Sequence, residues 1–261
     1  MEGKFYPLFD SHAHYDDAKF DGDRDAVIEE MREKGVSGIV DVGCSFDTLP
    51  KAVDLAERYD FVYASAGLHP SDALAAENEP KTLDILRLYL SHEKNVALGE
   101  IGLDYHWDDV PRDIQKKWFD IQLSLAKELK KPVIIHDREA HGDVMDILRA
   151  HRDVTGILHS FSGSPEMARE LVKMGWYISF SGVLTFKNAA KLPEVAKEVP
   201  TERMLIETDA PYLAPHPHRG ERNCSLLMRY TVERLSEIKG LTTEQVCIMT
   251  DENARRVFGI C

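Results

Sequence analysis

His12 and His14 lie two residues apart in Asp10-Ser11-His12-Ala13-His14. In an extended segment, residues i and i+2 face the same side, so this spacing aims two imidazoles at one point where they can share a metal ion. Alone the pair is weak, because most such pairs are surface or loop histidines. Weight comes from four further segments: Gly99-Glu100-Ile101-Gly102-Leu103-Asp104, Ile135-His136-Asp137-Arg138, Leu158-His159-Ser160-Phe161-Ser162-Gly163 and Ile206-Glu207-Thr208-Asp209-Ala210-Pro211. His12, His14, His136 and His159, with the carboxylates of Glu100 and Asp209, make a nitrogen–oxygen donor set. Such a set suits Zn²⁺ or Mn²⁺, with Mg²⁺ at its oxygen-rich end. The donor count fits two divalent ions better than one. A carboxylate can bridge two ions and a neutral imidazole normally does not, so the bridge falls to Glu100 or Asp209.

These residues need elements that bring them to one place. Short apolar runs at Pro7–Asp10, Gly38–Val42, Phe61–Ala66, Val96–Leu98, Val133–Ile135, Gly156–Leu158, Tyr177–Phe180 and Met204–Glu207 predict strands, several of them buried on both faces. Amphipathic stretches alternate with them, the clearest at 114–130 with Trp118, Ile121, Gln122, Leu125 and Leu129 near helical spacing. Such alternation predicts a (β/α)8 TIM barrel with the donor residues at the C-terminal ends of the strands, where barrel enzymes place their chemistry. An open doubly wound sheet would usually carry a glycine-rich loop after its first strand, and here that position holds Asp10-Ser11-His12-Ala13-His14. The tail after Gly240 predicts two extra short helices, Thr243–Met249 and Glu252–Val257.

Composition narrows the classes. At 261 residues, with 43% hydrophobic and 30% charged residues, the chain is ordinary for a globular protein and too apolar for disorder. The expectation is one barrel domain over 1–261, since no Pro/Gly/Ser linker divides it. No apolar run approaches a membrane span, and Met1-Glu2-Gly3-Lys4-Phe5-Tyr6-Pro7 shows no leader pattern. The chain carries 32 basic and 45 acidic residues, a formal net charge of −13, which repels a polyanion at long range. A duplex-coating protein is therefore disfavoured, whereas an enzyme that grips phosphate through bound cations is not. Cys44, Cys224, Cys247 and Cys261 form no CxxC pair, which fits a reduced cytoplasmic protein.

As an ordered set, Asp10-Ser11-His12-Ala13-His14, Gly67-Leu68-His69-Pro70, Gly99-Glu100-Ile101-Gly102-Leu103-Asp104, His136-Asp137-Arg138-Glu139-Ala140, His159-Ser160-Phe161-Ser162-Gly163 and Glu207-Thr208-Asp209-Ala210-Pro211-Tyr212-Leu213 resemble the motifs of the TatD-type metal-dependent deoxyribonucleases, a branch of the amidohydrolase-like TIM-barrel hydrolases. The resemblance runs from about Asp10 to Phe258. It implies that His12, His14, Glu100 and Asp209 hold one ion and that Glu100, His136 and His159 hold the other. Many related amidohydrolases bridge their metals with a modified lysine at the fourth strand; Glu100 stands there in this chain, as in the TatD branch. One departure follows strand eight. The family commonly reads Arg-Asn, any residue, then Pro, and this chain reads Arg222-Asn223-Cys224-Ser225, with Ser225 expected as a helix N-cap.

The expected reaction is divalent-metal-dependent hydrolysis of phosphodiesters, trimming DNA from the 3′ end, with the polarity taken from the resemblance. Two cations would neutralise the diester and lower the pKa of water, and Asp209 would orient that water and take its proton. Glu100 and Asp209 are thus the catalytic carboxylates. Candidate substrate contacts are His69, Arg138, Ser162 and Lys187, with Tyr105 and Trp107 placed to stack an unpaired base. Arg138 could instead pair with Asp137 or Glu139. The expected partner is single-stranded DNA or a 3′ end, at a narrow mouth on a monomer. The alternatives are hydrolysis of another ester or amide, such as aminoacyl-tRNA, by the same site, and a non-catalytic nucleic-acid-binding barrel. The latter should show a basic stripe and keep binding after metal removal; a degenerate, non-catalytic scaffold should have lost a ligand, and none is missing.

Overall fold

Eight parallel strands in the order β1 to β8 alternate with helices in a computed structural model that describes residues 6–76 and 79–261. The strands are β1 (Leu8–Ala13), β2 (Val36–Gly43), β3 (Val62–Ala66), β4 (Asn95–Asp104), β5 (Val133–Arg138), β6 (Gly156–Leu158), β7 (Tyr177–Phe180) and β8 (Met204–Ile206). The helices are α1 (Arg24–Glu33), α2 (Leu49–Arg58), α3 (Glu79–Leu90), α4 (Arg112–Leu129), α5 (His141–Ala150), α6 (Pro165–Lys173), α7 (Leu192–Glu198), α8 (Met228–Lys239) and α9 (Thr243–Phe258). The TIM-barrel expectation is met. The leader-free pattern read at the N-terminus falls largely on residues 1–5, outside the described residues. Among the described residues, no helix is long and apolar enough to cross a membrane.

Helix limits follow local chemistry. Ser164 caps α6 by accepting the Met167 N–H, and Pro165 fills the first turn, where a missing N–H costs nothing. The tail differs from expectation. It is one continuous helix, α9, opened by a capping box between Thr242 and Gln245 and closed at Gly259. The expected break falls on Thr250 and Asp251, with Asn253 just beyond it. In the structure they face inward. Asp251 accepts from Ser37 and Arg255, and the Asn253 amide donates to the Thr201 and Met204 carbonyls at 2.8 and 2.9 Å. These bonds fasten α9 across the base of the barrel, against β1 and β8. Phe258 there joins a buried cluster with Phe9, Val40, Ile134, Ile157 and Leu205.

Two irregularities matter for function. Between β1 and β2, Asp10 pairs with Ile39 but Ala13 with Asp41, so β1 spends one residue more than its neighbour. Between β4 and β5, Leu98 pairs with Val133 but Ile101 with Ile135. Such bulges re-aim side chains. They fall on Ser11–His12 and on Gly99–Glu100. β4 and β5 also run further than the apolar runs suggest, so Glu100, His136 and Arg138 lie inside strands rather than after them. Gly102 permits this. It pairs with His136 at φ +146°, and a Cβ there would sit 2.0 Å from the His136 carbonyl oxygen.

β8 meets β1 through a single bridge, Ala13 with Ala210, and through the Asp209 N–H donating to the His12 carbonyl at 2.9 Å. Beneath this seam, the buried Asp10 carboxylate accepts from the Thr208 N–H and hydroxyl at 3.0 and 2.6 Å, and from the Ser225 hydroxyl at 2.7 Å.

Candidate metal centre

The six donor residues converge at the C-terminal mouth. His12 and His14 come from the end of β1, Glu100 from β4, His136 from β5, and His159 and Asp209 from just past β6 and β8. The Glu100 carboxylate stands in the middle. Its Oε1 lies 2.7 Å from His136 Nδ1 and 2.8 Å from His159 Nε2. Its Oε2 lies 3.5 Å from His12 Nε2 and 3.9 Å from His14 Nε2. Asp209 Oδ1 lies nearest the second pair, at 3.6 Å from His12 and 3.5 Å from His14. Of the two carboxylates left open as a bridge, Glu100 is the one whose two oxygens each address a separate imidazole pair.

Three triads of donor atoms lie within 4.8 Å of one another: His12, His14 and Glu100; His12, His159 and Asp209; and His69, Glu100 and His136. A divalent ion needs donors about 2.0–2.2 Å away in several directions, and separations of this size can be spanned by one ion. The outward nitrogens strengthen the fit. His14 Nδ1 meets the Val42 carbonyl at 3.1 Å, His136 Nε2 meets Asp104 Oδ2 at 3.2 Å, and His159 Nδ1 meets Glu207 Oε1 at 3.3 Å. An acceptor behind the ring fixes the tautomer and turns the inner lone pair toward a cation. His12 Nδ1 alone is buried without a partner.

The electrostatics are those of a site crowded with opposed charge. Burial disfavours charge on Glu100, but His159, His12 and His136 overcome it and hold the carboxyl well below its usual range. Burial likewise opposes charge on His14, yet Asp209, Glu100 and Asp16 push it up to about 10. His159 is raised well above normal by Glu100 and Glu207, against burial. His12, enclosed and beside His159, is lowered. A proton on His14 or His159 occupies the lone pair that a cation would use, so cation binding must release protons.

Asp104 and Glu207 back His136 and His159, a contact to which the sequence reading assigned no role. Asp104 lies four residues beyond Glu100, and Glu207 two before Asp209.

The expected substrate contacts fare unevenly. His69 reaches the cage, its Nε2 3.9 Å from Glu100 Oε1. Burial and the neighbouring His136 depress it to about 3, so it is neutral. The Ser71 N–H donates to its Nδ1 at 3.1 Å, which leaves the ring proton on Nε2, facing the cage. Arg138 is exposed at the end of β5 and pairs with neither suggested neighbour: Asp137 binds His141 and Glu139 binds His106, each at 2.8 Å. Its guanidinium stands 5.7 Å from the Trp107 ring centroid. Ser162 is exposed, with only a 3.4 Å contact to the Asp137 carbonyl; Ser164, not Ser162, caps α6. Lys187 is exposed in the connection between β7 and α7, five residues before the helix starts.

After β8, Arg222 forks onto Asp23 at 2.7 and 2.6 Å, and the Asn223 amide donates to the Thr208 and Tyr212 carbonyls at 2.9 and 2.7 Å. Ser225 is not the expected N-cap. It is the first residue of a 3₁₀ turn, and its side chain serves the seam.

Comparison with known proteins agrees with this geometry. A family model described as TatD related DNase matches residues 9–259. The chain belongs to the TatD-related DNase family. The "uncharacterized metal-dependent hydrolase YabD" of Bacillus subtilis is 48% identical over 255 residues, covering 97% of this chain and 99% of that one. Its counterpart YcfH of Escherichia coli is 37% identical over 258 residues, covering 97% and 96%. The crystal structure of the TatD homologue YjjV from Escherichia coli superposes with a TM-score of 0.89 at 30% identity, over 97% of this chain and 98% of the other. Within the family, this chain is a metal-dependent hydrolase.

Proposed function

We propose that this hydrolase cleaves DNA phosphodiesters at the 3′ end of an unpaired strand, using two divalent ions. The observation that carries the reading is Glu100, whose opposite oxygens face His136 with His159 and His12 with His14. That arrangement would seat two adjacent cations on one shared carboxylate. His12, His14, Asp209 and Glu100 would hold one ion, and Glu100, His136 and His159 the other. The nitrogen–oxygen donors suit Zn²⁺ or Mn²⁺, with Mg²⁺ as the harder alternative. Bound there, the pair would neutralise the anionic diester and lower the pKa of water.

The chain's own groups supply the rest. Asp209 has the most exposed side chain of the six, at 17%, and its Oδ1 faces the His12–His14 pair. It is placed to orient the attacking water and take its proton as the new P–O bond forms and the bond from phosphorus to the preceding nucleotide's 3′ oxygen breaks, leaving that oxygen as the new 3′ hydroxyl. His69 presents an N–H to the same cavity and can donate to a phosphate oxygen. Asp104 and Glu207 keep His136 and His159 turned inward. The net charge of −13 favours a short contact at the mouth over a long footprint on duplex.

The family description speaks for DNA, whereas the cage would activate water equally well against another ester. Parallel assays on 3′-labelled single-stranded DNA and on aminoacyl-tRNA, with metal analysis of protein purified without chelator, decide between them. Release of 5′-mononucleotides from the labelled end, with about two ions per chain, is the expected result. Turnover of the aminoacyl ester alone would overturn the nuclease reading.

A further inference from the structure

Two aromatic side chains stand open at the mouth, and neither is needed to build the cage. Trp107 follows β4, three residues past Asp104, and is 57% exposed. Tyr212 follows β8, three residues past Asp209, and is 44% exposed. A singly exposed ring is ordinary; these two stand out because each follows a strand that supplies the cage and carries a cation against its ring. Each ring is held in place. The His106 ring meets Trp107 edge-on at 4.8 Å and 85°, and His106 is tied to Glu139 at 2.8 Å. The Tyr212 hydroxyl donates to Asp17 Oδ2 at 2.7 Å.

Each ring also carries a cation from the neighbouring strand's loop or end. Arg138 at the end of β5 lies 5.7 Å from the Trp107 centroid, and Lys19, after β1, lies 4.1 Å from that of Tyr212. Among the described residues, neither cation has a carboxylate within ion-pair distance. Strand order places β4 and β5 across the barrel from β8 and β1. The two aromatic–cation pairs therefore flank the cage from opposite sides, with Glu100 and His136 nearer the first and Asp209 and His14 nearer the second.

We infer that Trp107 with Arg138 and Tyr212 with Lys19 form two stacking platforms that grip the nucleobases on either side of the scissile phosphate. The inference rests on the phosphodiesterase reading above and adds its substrate specificity. A base offers a flat face to an indole or phenol ring, and its flanking phosphates offer anions to the adjacent cation. Both faces of an internal base in a duplex are already stacked, so the platforms select unpaired nucleotides. The minimal substrate that engages both is a dinucleotide.

The test uses the full chain and two single-stranded oligonucleotides: all-thymidine, and the same strand with abasic residues at its two 3′-terminal positions. Trp107→Ala and Tyr212→Ala should each lower kcat/KM on the thymidine strand by about 5- to 100-fold. The deficit should shrink toward parity on the abasic strand, because the wild type has lost the same contact. Trp107→Phe and Tyr212→Phe, which keep a ring, should recover most of the rate. A deficit equally large on both strands, or no deficit on either, overturns the platforms while leaving the nuclease reading intact. Wild-type protein that cleaves neither strand yet hydrolyses a different ester overturns the nuclease reading, and the platforms with it.

Discussion

The two halves of the cage are built differently. On the β4–β6 side, Glu100 and His136 lie within paired strands, and carboxylates stand behind both His136 and His159. On the β1–β8 side, β8 stops at Ile206, Asp209 adopts φ +57°, and closure depends on one bridge and a buried polar cluster. His12 Nδ1 there has no partner at all. The first half is positioned by strand pairing and an outer layer of carboxylates, which suits a seat that keeps its cation. The second keeps His12 within β1 but takes His14 and Asp209 from backbone just past the strands, and it faces solvent through Asp209, which suits the seat where water and substrate arrive.

The comparison breaks most visibly at Glu100, which belongs to both halves. Glu100→Ala should lower turnover by at least ~1,000-fold, since charge neutralisation and water activation both fail. Metal content should fall at both seats. A variant that keeps full metal occupancy and activity would show that the halves do not share this carboxylate. Asp209→Asn touches one half only. It should retain much of the metal and lose roughly 100- to 10,000-fold in kcat. Undiminished turnover would remove Asp209 from proton transfer.

The outer carboxylates sharpen the contrast at a smaller scale. Asp104→Asn or Glu207→Gln should weaken metal binding about 10- to 100-fold, measured by titration with Zn²⁺ or Mn²⁺. The loss should be confined to one of two binding events. Weakening of both would mean that the cage responds as a unit. Acid should act on both halves. His14, pushed up to about 10, and His159, raised well above its usual value, must each give up a proton to ligate. Affinity should therefore climb as pH rises and fall as it drops, by up to about one decade per pH unit for each proton released. Affinity that is flat between pH 6 and 9 would contradict proton competition.

The same contrast explains what the sequence disclosed. The β/α alternation and the placement of donors at strand ends were legible because they follow from short-range pattern: apolar runs, and His or Glu just beyond them. Residue chemistry alone left the candidate bridge open between Glu100 and Asp209, and only the family resemblance favoured Glu100, because the aim of that carboxylate is set at a bulge over Gly99–Glu100 and a register shift leaves no mark in residue type. The i, i+2 spacing did aim His12 and His14 at one point, with their Nε2 atoms 3.1 Å apart, although a bulge interrupts β1 between Asp10 and Ala13. The unbroken α9 was missed for a related reason. Asp251 and Asn253 look like surface or turn residues until their long-range partners on β2 and near β8 are known.

The finest test lies at Ser225, where family resemblance leads one to expect proline. The start of a helical turn normally tolerates proline, because its N–H would be idle. Here it is not idle. The Ser225 N–H donates to the Tyr15 hydroxyl at 2.8 Å, and the Ser225 hydroxyl donates to Asp10 at 2.7 Å. Both bonds are buried beneath the β1–β8 seam, and Ser225→Pro deletes both donors at once. Leaving Tyr15 and Asp10 each short of one donor should cost about 1–3 kcal/mol. At roughly 2–4 °C of Tm per kcal/mol in chains of this size, that is a fall of several degrees by calorimetry. Ser225→Ala, which keeps the N–H, should lose about half as much. Because the seam positions Asp209 through the bond from its N–H to the His12 carbonyl, the loss in Tm should be accompanied by a modest drop in kcat, while metal affinity at His136 and His159 holds. A Ser225→Pro protein with unchanged Tm would show that the seam is held by Thr208 and the Ala13–Ala210 bridge, and that serine at this position contributes nothing to the weaker half of the cage.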